Sequence, residues 1–313
     1  MPIKYSIIVL NNRKDSVGYK GGNFMVSQLL GTYMVEEGYM TQEQFANVLE
    51  EQTKIRVKLG LIAVSEGMLT LDQADAINRM QQVMDKRFGD IAVEKGYLTE
   101  GQVGSLLKMQ GNEYLTFAQT LVDREVITMD KLGTILKNFQ VDNGYTNTEM
   151  EAIKSGEVEK IVPLFLPQGA EGYEEVVVLA MKTVIRCIDS QAYPMSGVLA
   201  DSASLKRPVT QELTGAQYWK IGFSDVNDSL CSIASVFARE NFVVVDEDVQ
   251  DAVGEFVNCI NGLFATALSA KGISVELMPP ELGKSADVTG KNILMIPFGI
   301  RGTTVNFVVT DQN

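Results

Sequence analysis

Asp251, Glu255, Asn258 and Gly262 follow one another at steps of four, three and four residues, so on a helix they fall along one stripe. A carboxylate and a carboxamide on such a stripe offer an acceptor for cations and a group that donates and accepts at once. Asn is a mediocre helix residue, and an interior Gly costs about 1 kcal/mol against Ala. An otherwise well-formed helix has therefore taken two penalties on one line. Read from the residues alone, a solvated Asn258 with close packing at Gly262 would account for this. A surface that acts on a partner is the other reading.

The chain contains no histidine, which removes Ser-His-Asp and Cys-His activation, histidine-ligated zinc and phosphohistidine relays. Catalysis is left to carboxylates, amides, lysine and backbone. Cys187, Cys231 and Cys259 are odd in number and widely spaced, and read as reduced small hydrophobes rather than a disulfide frame or a metal site. Gly283-Lys284-Ser285 ends like a phosphate-binding loop, but Met278 stands where G-x-x-x-x-G-K-S requires its first glycine. A formal charge of −13 opposes the counterion release that drives binding to nucleic-acid backbones, so no nucleic-acid partner is expected. No run reaches the roughly 18 apolar residues of a membrane span. The run Tyr5–Leu10 is shorter than a signal-peptide core and reads as a strand, so the expectation is a cytoplasmic protein.

The stripe needs a long helix to carry it, and Asp246 to Gly272 supplies one. Val249, Val253, Phe256, Val257, Ile260, Phe264, Ala267 and Leu268 recur at three- and four-residue steps and predict a face packed on a sheet. Asp246 or Asp248 can cap its start. A second helix is predicted around Val177, Met181, Val184 and Ile188. Strands are predicted at Gln211 to Leu213, Tyr218 to Phe223, Ser274 to Met278, Asn292 to Pro297 and Thr304 to Val309. Long helices on an antiparallel sheet make this an α+β domain.

The first half of the chain is repetitive. Gly31, Gly60, Gly89 and Ala118 stand 29 residues apart, and so do Gly38, Gly67, Gly96 and Glu125. Thr41, Thr70, Thr99 and Thr128 form a third column, and the first three have Gln44, Gln73 and Gln102 three residues on. A threonine with Gln at that spacing is a capping box, so each unit reads as a helix, a glycine stop, a threonine start and a second helix. An all-α repeat domain follows. The domains expected are a strand and lead-in at 1–22, four helical units at 23–140, a Pro- and Gly-bearing acidic linker with room for one short helix at 141–174, and the α+β domain at 175–313.

The pattern D-x-x-x-E-x-x-N-x-x-x-G of residues 251–262, followed by MPPELG at 278–283, is similar to the signature of the CheC, CheX and FliY chemotaxis phosphatases. The resemblance implies a CheX-like domain, acting as a homodimer, that dephosphorylates a CheY-like response regulator. It implies Glu255 and Asn258 as the acting residues and Gly262 as the point where a partner backbone approaches closely. The Mg²⁺ of the reaction would sit in the regulator, and no metal or cofactor is implied in this chain. A module that binds the regulator without turning it over, or a scaffold, is the alternative. The repeats resemble the N-terminal domain of the MshE and type II secretion ATPases, which implies a cyclic di-GMP site at Lys58, Gly60, Arg87 and Gly89.

Overall fold

The computed structural model describes residues 24–55, 57–84 and 86–311. The strand expected at Tyr5–Leu10, and the lead-in segment 1–22 with it, lie outside them. By its contacts the chain divides into two units: Leu29–Gly156, and the described residues up to Gln28 together with those from Glu157 on.

Helices α1 (Met25–Glu36), α2 (Gln42–Glu51), α3 (Leu59–Ser65), α4 (Leu71–Met84), α5 (Phe88–Glu94), α6 (Glu100–Lys108), α7 (Glu113–Asp123), α8 (Met129–Asp142) and α9 (Asn147–Ser155) follow in order. The ends of α1, α3, α5 and α7 and the starts of α2, α4, α6 and α8 lie where the glycine and threonine columns predict. Thr41 and Thr99 close reciprocal capping boxes with Gln44 and Gln102. Thr70 and Gln73 exchange the same two bonds at 2.8 and 3.2 Å. Thr128 accepts from the Lys131 amide, and its third residue has no side chain able to answer. Gly38, Gly67 and Gly96 hold φ of 71°, 65° and 73° after α1, α3 and α5. Glu125 occupies the same left-handed stop at 55° without a glycine's freedom.

The other glycine column has a different cause. A Cβ on Gly31 would stand 2.1 Å from the Phe45 ring, one on Gly60 3.0 Å from Phe88, and one on Gly89 2.7 Å from Val103. These glycines let a neighbouring side chain press onto helix backbone, and Ala118 fills the fourth place, 1% exposed.

The segment 141–174 carries more structure than a linker with one short helix. Thr146 and Glu149 form a further capping box at α9, which buries Met150 and Ile153 and ends on Gly156 at φ 73°. After it come α10 (Val158–Ile161) and 3₁₀ turns at Val162–Phe165 and Glu171–Tyr173. Val158, Ile161, Val162 and Phe165 are all buried, at the helical spacing of three, four and seven. Glu159 and Lys160 between them are exposed, and these charges masked that period in the sequence. The second unit accordingly takes in residues from Glu157 rather than from 175.

That unit continues with α11 (Glu174–Cys187), β1 (Tyr193–Pro194), β2 (Val198–Leu205), β3 (Val209–Gly215), β4 (Trp219–Ser224), α12 (Cys231–Phe237), α13 (Glu247–Ala270), β5 (Val275–Leu277), β6 (Glu281–Leu282), β7 (Ala286–Ile300) and β8 (Thr303–Thr310). The strands form one antiparallel sheet in the order β1-β7-β8-β4-β3-β5, with β2 also paired to β7 and β6 to β3. Helix α13 lies across β3, β4, β5 and β6. Phe223 of β4 stacks on Phe256 of α13 at 6.1 Å and meets Phe307 of β8 at 5.2 Å. Trp219 stands edge-on to Phe264 at 5.1 Å. Ala203, Leu205, Ile293 and Val308 make a separate small cluster. The fold class is as expected, α+β in the C-terminal region and helical in the N-terminal region. Among the described residues no helix is long and apolar enough to cross a membrane.

Two outcomes test this account. Gly31→Ala should destabilise the chain by about 1–3 kcal/mol in chemical denaturation followed by backbone circular dichroism, because Phe45 is buried and has nowhere to move. Burial, reinforced by Glu149, pushes the Tyr145 phenol up to about 12. The folded form thus holds its proton above the ordinary value of about 10. Its contribution is full below pH about 10 and is lost as pH rises through about 12. Tyr145→Phe should remove that part of the alkaline fall in the denaturation midpoint.

Candidate functional site

Helix α13 begins where Asp246 accepts from the Val249 amide at 3.0 Å, with Glu247 and Asp248 in its first turn near the positive end of the dipole. Seven of the eight residues assigned to its apolar face are buried: Val249, Val253, Phe256, Val257, Ile260, Phe264 and Leu268. The entry is pinned from outside the helix. Arg207 binds the carboxylates of Asp225 and Asp228 and donates to the Val245 carbonyl at 3.1 Å, and the Val245 amide donates to Asp228 at 3.1 Å. Asp225 has no exposed side-chain surface, and it also accepts from Ser229 Oγ and the Leu230 amide at 3.2 Å each. The residue preceding the cap is thus held by Arg207 and Asp228, and the buried Asp225 carboxylate holds Arg207 in turn.

The stripe comes out on the open side. Asp251, Glu255 and Asn258 are exposed and Gly262 is half-buried. Glu255 makes no hydrogen bond or ion pair among the described residues. A Cβ on Gly262 would meet nothing within 4 Å, so packing inside the chain does not require this glycine. Gly254 on the same helix does have a packing reason, since its Cβ would come 3.3 Å from Pro280.

Asn258 is exposed yet tethered. Its Oδ1 accepts from Gln211 Nε2 at 2.8 Å. Gln211, on β3 and 1% exposed, also donates from Nε2 to the Met278 carbonyl at 2.7 Å, and its Oε1 accepts from Asn261 Nδ2 at 3.0 Å. Residues 278–283, the MPPELG segment, are held against α13 and β3. Gln250 Nε2 donates to the Gly283 carbonyl at 3.0 Å, and the Gly283 amide donates to Pro208 at 2.7 Å. Met278 itself is 44% exposed beside this cluster.

Gln211 went unassigned in the sequence. The signal was there: Val209, Gln211 and Leu213 share one face of a strand that buries its apolar residues, and the polar member of that line needs partners.

Thiol chemistry is disfavoured at this surface. Burial pushes the Cys259 thiol up, with Cys187 and Glu255 adding to it, and burial does the same for Cys231. The nucleophilic thiolate is correspondingly scarce.

In the helical unit, Lys58 is paired with Asp123 at 2.8 Å, and its amide donates to Gln119 Oε1. Gly60 and Gly89 are the close approaches to Phe88 and Val103. Arg87 is exposed at the start of α5. Two of the four positions implied for a nucleotide are thus occupied by packing, and a third by an ion pair.

No curated protein matches this chain. Chemotaxis protein CheX from Desulfovibrio desulfuricans is 17% identical over 45% of this chain and 98% of its own, with a TM-score of 0.39. CheX from Vibrio vulnificus is 19% identical over 43% of this chain and 94% of its own, with a TM-score of 0.36. The CheX–CheY–BeF₃–Mg²⁺ complex from Borrelia burgdorferi gives 20%, 45%, 96% and 0.31 in the same order. The family described as chemotaxis phosphatase CheX matches residues 210–299, a stretch that holds Gln211, Glu255, Asn258 and Gly262. Over those residues the chain carries a CheX-like domain.

Proposed function

We propose that the C-terminal unit dephosphorylates the aspartyl phosphate of a CheY-like response regulator, with Asn258 and Glu255 as the acting residues. The observation that carries this reading is the exposed carboxamide of Asn258, fixed by a part-buried hydrogen bond to Gln211 and one turn from a carboxylate that has no partner among the described residues. The match of residues 210–299 to the CheX family supports it.

The reaction needs no shifted pKa and no histidine. A water oxygen forms a bond to phosphorus in line with the bond to the regulator's aspartate, and that bond breaks as the carboxylate leaves. One water hydrogen stays on the new hydrogen phosphate and the other goes to solvent. Mg²⁺ in the regulator neutralises phosphoryl charge. The helper supplies position, which an amide held on a rigid helix can do. Glu255 pairs with a cation of the regulator and sets the register of docking. Gly262 keeps the helix surface low where the regulator backbone passes.

The test is a panel of phosphorylated receiver proteins, with phosphate loss timed for wild type, Asn258→Ala and Glu255→Ala. One receiver should lose phosphate faster with wild type. Asn258→Ala should cut kcat by about 100-fold or more while leaving binding in place, and Glu255→Ala should raise KM about tenfold, roughly 1.4 kcal/mol. Binding of a receiver with no acceleration would favour the non-catalytic module instead.

Gly262→Ala separates function from packing. With open space at its Cβ, the substitution should raise stability by about 0.5–1 kcal/mol through helix propensity. It should also weaken receiver binding, as read by denaturation monitored at Trp219 and by a titration against the receiver.

A further inference from the structure

The hydrogen bonds around β3 determine more than where Asn258 sits. The Met278 carbonyl can only accept, so the end of Gln211 that faces it at 2.7 Å must be the nitrogen. The same nitrogen reaches Asn258 at 2.8 Å, so Asn258 must turn its oxygen inward. The other end of Gln211 is then oxygen, and Asn261 Nδ2 donates to it at 3.0 Å. A main-chain carbonyl thereby dictates the orientation of both side-chain amides, and the arrangement has no equivalent flipped form. Reversing Gln211 would set its oxygen against a carbonyl oxygen and leave a buried donor and acceptor mispaired.

We infer that Gln211 is a positioning residue for the phosphatase reaction, holding Asn258 so that Nδ2, not Oδ1, is the atom turned away from the domain. This rests on the phosphatase reading of Asn258. In that frame the outward Nδ2–H donates to an oxygen of the phosphoryl and attacking-water assembly. Oδ1, with one lone pair engaged by Gln211, anchors the plane. Because Gln211 is 1% exposed, it does not touch the regulator and acts only through Asn258. The anchor also removes rotamer freedom that an exposed Asn on a helix would otherwise have to lose at the moment of reaction.

The test has two arms, both on the full chain. In the first, side-chain amide resonances of ¹⁵N-labelled protein are assigned with Asn258→Asp and Gln211→Glu. The Asn258 Nδ2 hydrogens should exchange freely with solvent and the Gln211 Nε2 hydrogens should be protected. Slowly exchanging Asn258 hydrogens beside freely exchanging Gln211 hydrogens would overturn the orientation. In the second arm, Gln211→Glu keeps the shape of the side chain and loses the donor, and Gln211→Leu serves as the apolar counterpart should the first fail to fold. A folded variant should lose kcat on the order of 10- to 100-fold with KM for the receiver unchanged. A fall in thermal stability with wild-type kcat would reduce Gln211 to a structural residue and overturn the inference. If wild type accelerates no receiver, the phosphatase reading fails, while the amide spectra still decide the orientation by themselves.

Discussion

Burial of one face of α13 against the sheet is the constraint on which the C-terminal unit depends. Val249, Val253, Phe256, Val257, Ile260, Phe264 and Leu268 are removed from water along a helix of 24 residues. Each such side chain is worth about 1.5–3 kcal/mol when fully buried. Rolling the helix by one residue, about 100°, would expose several of them, so the rotation about the helix axis is set. The opposite stripe is set with it. Glu255 and Asn258 face outward because of where Phe256, Val257 and Ile260 must go, and the Arg207 cluster at Val245 fixes where along its axis the helix begins.

A second constraint is the polar patch placed within that interface. Gln211 and Asn261 lie where the helix meets β3, and burying an amide without partners costs on the order of 1–3 kcal/mol. Both Gln211 atoms are engaged, and Asn261 donates from Nδ2 while its Oδ1 finds no partner among the described residues. An apolar pair would serve packing better there. The patch has one exposed member, Asn258, so the stability given up inside the interface is converted into a fixed orientation at its surface.

Much of this was legible beforehand, for reasons specific to each element. The 29-residue columns marked helix starts and stops because capping is local chemistry, settled by residues three positions apart. Helix α13 was legible because its apolar period is long and uninterrupted. Strand β2, with the sequence VLADSASL, was not, because it carries little β-forming bulk and is a strand chiefly through its pairing with β7. The helical turns of 157–173 were harder to see because charged residues and prolines interrupt their apolar spacing of three and four. Gln211 escaped because its role is non-local: Asn258 and Met278 are 47 and 67 residues away in the chain.

The two sets of candidate site residues differ in how far the fold alone accounts for them. Gly60 and Gly89 are needed by Phe88 and Val103, and Lys58 has Asp123, so the helical unit would keep these residues to preserve its own packing. The stripe of α13 shows the reverse. Gly262 carries a helix-breaking tendency of about 1 kcal/mol with open space at its Cβ, and Glu255 stands in solvent with neither hydrogen bond nor ion pair among the described residues. Asn258 alone is explained from within, and what explains it is a device that orients an exposed amide. Gly262, which costs stability and returns none to its own chain, and Glu255, which has no partner among the described residues, flank Asn258 on one stripe, and a partner has to be sought for them.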